Sequence, residues 1–192
     1  MALPITLLGE DTIPPERAQR GAKMANEALG KVTDAAVTID ADTDHAQGIG
    51  GSGVGALVVP DRGFSGDKIS SLGEQPVALG QLWLMGIAPA RDSAAPAQEN
   101  VRTVSIQTDN NTLHPQVYFL ALGKGADGKA ELLVYGKGKE PLVHAALKPA
   151  TVSFQNNPLE VTGAKDGEDS GHLTLFIVGQ QSAEIPVVKF GE

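Results

Sequence analysis

The stretch QVYFLALGKGADGKAELLVYGKGKEPLVHAAL, residues 116–147, decides the fold class. Val117, Tyr118, Phe119, Leu120, Ala121 and Leu122 form one apolar run, and Leu132, Leu133, Val134 and Tyr135 form another. Between them stands Asp127-Gly128. Glycine takes positive φ without steric cost and Asp tolerates the left-handed region, so an Asp-Gly pair between two β-prone runs closes a hairpin. A second Gly-bearing turn over residues 136–141 leads to Leu142, Val143, His144, Ala145, Ala146 and Leu147. The unit therefore reads as a three-stranded antiparallel meander.

Downstream, the pattern repeats at short intervals. Residues 152–155, 159–162, 172–178 and 183–190 read as strands, separated by Asn156-Asn157-Pro158, by the acidic Gly-bearing turn of residues 164–171, and by residues 179–182. Pro186 cannot donate to a ladder, which marks the last strand as an edge. Upstream, residues 101–107 form a strand with Val104 and Ile106 inward. Val77, Leu79, Trp83, Met85 and Ile87 fall on one parity of a long strand. Residues 54–60 are continuously apolar, as in a strand covered on both sides, and residues 35–40 alternate through Val37 and Ile39 as a short one. A single helical turn is expected near Ser65-Gly66-Asp67. The Pro, Ala and polar segment 88–100 reads as a surface loop, since it offers little to bury against the entropy of ordering it.

One substantial helix is predicted. Pro14 and Pro15 suit a first turn, where amide donors have no partner, Glu16 favours the positive end of the dipole, and Gly30 is the stop signal. Ala18, Ala22, Ala25 and Leu29 make a narrow stripe opposite Arg17, Arg20, Lys23 and Glu27. Small side chains bury little area, so this helix needs the rest of the fold, or a partner, to hold it. The expected architecture is mainly β: an antiparallel β-sandwich or open barrel (residues 35–192) preceded by an N-terminal helical segment (residues 1–34).

Composition narrows the function. The 192 residues carry 15 Lys and Arg against 23 Asp and Glu, for a formal charge of -8, without a basic cluster of the kind that grips a phosphate backbone. Nucleic acid is therefore not the expected partner. The absence of cysteine excludes disulfides, thiolate zinc sites and cysteine nucleophiles. No run approaches the roughly twenty apolar residues of a membrane-spanning helix, and residues 1–10 lack the basic region of a signal peptide. Either the protein is cytoplasmic or a signal has been removed. The β-rich, Gly- and Pro-heavy composition favours an extracytoplasmic location.

Three motifs invite chemistry. Asp40, Asp42 and Asp44 alternate in a turn and offer hard oxygens to Ca²⁺. They depart from an EF-hand, because His45 stands at the sharp-bend Gly and Gly51 at the bidentate Glu. Gly48-Ile49-Gly50-Gly51-Ser52-Gly53 matches G-x-G-x-x-G, but a dinucleotide site needs a helix opening at the last Gly, and a strand follows instead, so it reads as a flexible loop. His45, His114, His144 and His172 are dispersed, and Trp83, among Leu82, Leu84 and Met85, is expected in the core. No catalytic residue and no cofactor is assigned. The sequence favours a non-catalytic structural or protein-binding module, exported, acting through protein contacts or self-association. Its alternative is a metal-dependent enzyme or calcium-stabilised binding domain built on the turn of residues 40–45.

Overall fold

The computed structural model describes residues 12–51, 53–150 and 156–191. The strand expected at residues 152–155 lies outside them. In chain order the elements are α1 (Pro15–Leu29), β1 (Gln47–Gly51), β2 (Val54–Pro60), α2 (Asp67–Ser70), β3 (Val77–Met85), β4 (Ile87–Pro89), β5 (Arg102–Thr103), β6 (Ile106–Gln107) and β7 (Thr112–Leu113). There follow β8 (Gln116–Lys124), β9 (Ala130–Tyr135), β10 (Val143–Ala146), β11 (Lys148–Pro149), β12 (Leu159–Lys165), β13 (Ser170–Ile177) and β14 (Gln181–Lys189). All strand pairs are antiparallel. The architecture is a β-sandwich with one N-terminal helix, not a closed barrel.

The meander is present as read. Leu120 pairs with Val134 and Leu122 with Leu132, and Val143 pairs with Val134 on the far side of β9. At the hairpin tip the Gly128 amide donates to Gly125 O and the Gly125 amide to Lys129 O, with Gly128 at φ 78°. This is the three-residue hairpin in which Gly takes the left-handed position. Asp127 Oδ1 accepts from the Lys129 amide at 3.0 Å, and that bond holds its exposed carboxyl below the usual range.

The first sheet runs β1-β2-β3-β8-β9-β10, with β5 continuing β9's place beside β8. The second runs β11-β14-β13-β12, with β4 beside β14. Between them lies the main core, in which Leu79, Leu82, Leu84, Tyr118, Leu120, Leu122 and Leu132 of the first sheet meet Leu159, Val161, Leu173, Leu175 and Ile185 of the second. A smaller core covers the outer face of the first sheet, where Ala22 and Ala25 of α1 pack with Val59, Trp83, Val117, Phe119 and Tyr135. The helix lies close because its contact residues are alanines, exposed by 3% or less. Polar pins hold it as well: Asn26 Oδ1 accepts from Gln81 Nε2, whose amide oxygen accepts from Trp83 Nε1 at 2.9 Å. Gly30, at φ 62°, ends it, its amide donating to Asn26 O.

Five local expectations are corrected. Residues 35–40 form no strand. They run irregularly over the smaller core, bending at Ala36 and Val37, with the Asp40 amide donating to Asp61 Oδ2 and the Arg62 amide to Asp40 O. The single parity expected from Val77 to Ile87 is broken by a bulge between Ala78 and Gly80. Leu79 therefore shares the inter-sheet face with Leu82 and Leu84, while Trp83 faces the helix and Met85 emerges, 37% exposed. Gly80 is obligatory here, since a Cβ on it would lie 2.4 Å from Val59 O.

The expected loop at residues 88–100 begins as β4, paired to β14, and then makes a tight reversal. The Arg91 and Ala94 peptides exchange two 3.0 Å hydrogen bonds around Asp92 and Ser93, both at positive φ. The Gly-rich run at residues 48–51 is a strand, not a loop. Nor is β14 an edge, for it has β13 on one side and β11 and β4 on the other. Pro186 is tolerated because its carbonyl accepts from the Ala90 amide. In an antiparallel strand a residue's N and O point to the same side, so the missing donor faces the end of β4 and the ladder to β13 loses nothing.

Candidate functional site

The turn of residues 40–45 sits beside the end of β2, anchored by the Asp42 amide on Pro60 O. Its three carboxylates face two cations, Arg62 and Lys23, and the imidazole of His45. Arg62 Nε lies 3.7 Å from Asp40 Oδ2 and Arg62 Nη1 lies 3.6 Å from Asp42 Oδ1. Asp42 Oδ2 contacts His45 Nδ1 at 2.8 Å, and Asp44 Oδ1 meets Lys23 Nζ of α1 at 2.8 Å. That hydrogen bond and the charge of Lys23 hold the Asp44 carboxyl below its ordinary range. Gln19 Nε2 also donates to Asp44 O, so the turn fastens the helix to the sheet. Among the described residues no three His, Asp or Glu side chains gather as a metal-holding group. Asp42 Oδ1 is the one carboxylate oxygen in the turn that is buried and accepts no hydrogen bond.

The histidines are far apart in the fold, each with a local partner. His45 meets Asp42, His144 meets Glu131 across β9 and β10, His172 meets Asp166, and His114 meets Ser105. These are surface pairs, and among the described residues no nucleophile is hydrogen-bonded to any of the three carboxylate-bound imidazoles.

The G-x-G-x-x-G match belongs to an edge hairpin. Ile49 points into the main core, and Gly48 and Gly50 alternate onto the outer face. A Cβ on Gly48 would lie 3.0 Å from Ala56 O and 3.1 Å from Ile13 Cδ1. The glycines are there to let Ile13 lie flat on the strand. Thr12 bridges antiparallel to Ile49, and the Ile13 amide donates to Gly48 O at 2.8 Å. No helix opens after Gly53, so nothing here gathers amide donors for a pyrophosphate.

The same region contains a feature that sequence reading missed. Ile13, Leu57, Trp83, Met85, Ile106 and Leu113 line an almost wholly apolar groove of about 150 Å³ on the outer face of the first sheet, between α1 and the β6–β7 ribbon. Met85 is the one large apolar side chain exposed among the described residues. No family model, curated protein or solved structure matches the chain.

A larger cleft, about 680 Å³, separates the Arg91–Ala94 turn from residues 137–143. Its wall carries Arg91, Lys137 and Lys139, and Lys139 Nζ is engaged by Ala35 O. It also carries Asp92 and Glu140, and all five charged side chains are exposed. None of the described helices is long and apolar enough to cross a membrane.

The groove could have been found from sequence only through Met85, an apolar residue at the end of a strand just before Gly86. The bulge at Ala78–Gly80, which sets where Met85 points, carries no sequence signal beyond the glycine itself.

Proposed function

We propose that this protein is a non-catalytic structural or protein-binding module that works through protein contacts, or through self-association, at the outer face and edge of its first sheet. The observation that supports this reading most directly is the apolar groove with Met85 at its mouth. An exposed apolar recess loses free energy to water, and its ordinary use in a polar-surfaced protein is to be covered. The adjacent edge strand β1 adds pairing capacity, since among the described residues only the Thr12 bridge and the Ile13 amide engage its outer side.

Sedimentation equilibrium over a wide concentration range tests the reading, with Met85→Asp as the comparison. Association that the Asp variant loses while keeping its melting temperature supports it. A chain that stays monomeric, captures no partner through the groove and turns over a small molecule would replace it with an enzymatic reading.

A calcium-stabilised reading rests on Asp42, whose buried Oδ1 accepts no hydrogen bond. Calcium would have to displace Arg62, which spans Asp40 and Asp42. If it binds, a hundredfold excess over Kd stabilises the fold by about 2.7 kcal/mol. Identical melting in calcium and in chelator removes this alternative.

A further inference from the structure

We propose that Arg102 and the recess beside it bind a small oxyanion, a carboxylate or a phosphate group, and that Asp34 holds the place such a ligand takes.

The strand β5 decides where the guanidinium goes. Val101 belongs to the inter-sheet core, so on the alternation of an extended chain Arg102 falls on the outer face of the first sheet. There it meets the coil that leaves α1, and its Nη2 donates to Asp34 Oδ1 at 3.0 Å. The Arg102 side chain is only 15% exposed. Its Nε is buried, and no described residue accepts a hydrogen bond from it.

A guanidinium carries five N–H donors in a planar fork. Among the described residues this one is met by a single oxygen, on a carboxylate that is itself 63% exposed. Withdrawing a cation from water costs free energy, and one contact with an exposed acid returns little of it. An Arg–carboxylate pair that served the fold alone would gain most by engaging two donors of the fork at once. Here the Nε side of the fork is unused.

The surroundings complete a site for an oxyanion. The coil after α1 and residues 102–105 line an open recess of about 430 Å³ next to Arg102. Lys31, Thr33, Thr103 and Ser105 share its lining, and Asp34 is the one acid among the lining residues. The recess thus sets two cations against one carboxylate, in a chain whose formal charge is -8. A forked guanidinium, an ammonium and hydroxyl donors are the groups that recognise carboxylate and phosphate oxygens. Asp34 supplies the same oxygen chemistry from within the chain. Because it is largely in water and held by one contact, an incoming oxyanion exchanges with it without disturbing a packed side chain.

Nitrogen–proton correlation spectra of the full chain test the site as sodium phosphate, sodium acetate or sodium chloride is added at matched ionic strength. The Arg102 Nε–H and the backbone amides of residues 31–34 and 103–105 are followed. Phosphate, acetate or both should move them saturably, and chloride should not. Saturation by one anion alone assigns the ligand group to that chemistry. Asp34→Asn should tighten the apparent affinity by about two- to fivefold, the worth of an exposed ion pair. Glu184→Gln removes the same charge from the outer face of the second sheet and should leave the affinity unchanged. Arg102→Lys, which keeps the charge and loses the fork, should abolish saturation at the backbone amides. Should that variant lose its fold, Lys31→Gln, at an exposed position, carries the test, with binding weakened at least about twofold expected. Shifts that chloride reproduces, saturation that survives Arg102→Lys, unchanged binding in Lys31→Gln, or an Asp34→Asn variant that binds no more tightly than Glu184→Gln would overturn the proposal.

Discussion

The two sheets solve the same problem differently. In the first, β8 is buried at every position from Gln116 to Gly123, because the second sheet covers one face and α1 with its neighbouring coil covers the other. In the second, β13 alternates strictly between buried and partly exposed residues, since only its inner face is covered. A strand covered twice reads as a continuous apolar run, and a strand covered once reads with period two. The difference teaches where function can lie. The outer face of the second sheet carries polar and ion-paired side chains such as Thr162, Thr174, and Lys148 with Glu184, whereas on the outer face of the first sheet the described residues leave the Met85 groove.

Substitutions should grade according to this contrast. Leu120→Ala, at a fully buried inter-sheet position, should cost about 2–5 kcal/mol in urea unfolding. A loss below about 1 kcal/mol would mean that the sheets are not packed as described. Gly80→Ala forces a Cβ against Val59 O and should cost about 1–3 kcal/mol, with the bulge as its cause. Gln81→Leu strands the buried Trp83 indole N–H and should cost about 1–3 kcal/mol, loosening α1 more than the sandwich. Hydrogen exchange resolved along the chain separates those two responses.

A pH titration sharpens the same comparison from the chemical side. Burial raises the Tyr118 phenol well above its ordinary pKa, and Tyr135 is raised in the same direction, again by burial first. The unfolded chain therefore releases these protons first. Their contribution is intact below about pH 10 and is lost as pH rises above it, by at most about 1.4 kcal/mol per pH unit for Tyr118. Tyrosinate absorbance from Tyr118 should appear only together with unfolding. The smallest effect belongs to the open face: Thr162→Ala should stay within about 0.5 kcal/mol. A large loss there would show that this face is covered after all.

Much of the sandwich was legible. The meander, the extent of α1, its Gly30 stop and the buried Trp83 follow from local chemistry: Asp-Gly at a hairpin, Pro at a helix start, an apolar period of two or a run. The errors cluster where a residue's role depends on a distant neighbour. Gly48 and Gly50 resemble a loop until Ile13 is placed on them. Pro186 resembles an edge marker until β4 is seen to end beside it. The carboxylates of Asp40, Asp42 and Asp44 resemble a calcium loop by spacing, but in the fold each meets a cation from elsewhere in the chain, Arg62 for Asp40 and Asp42 and Lys23 for Asp44.

By itself, the sequence determined that this is a mainly antiparallel β protein with one N-terminal helix, because backbone propensity and side-chain period act over a few residues and are written locally. Only the tertiary structure decided which strands are covered twice, that a one-residue bulge at Ala78–Gly80 turns Met85 outward, and that an apolar groove opens beside α1. Those outcomes depend on packing between segments far apart in the chain, where one extra residue in a strand inverts every side chain beyond it.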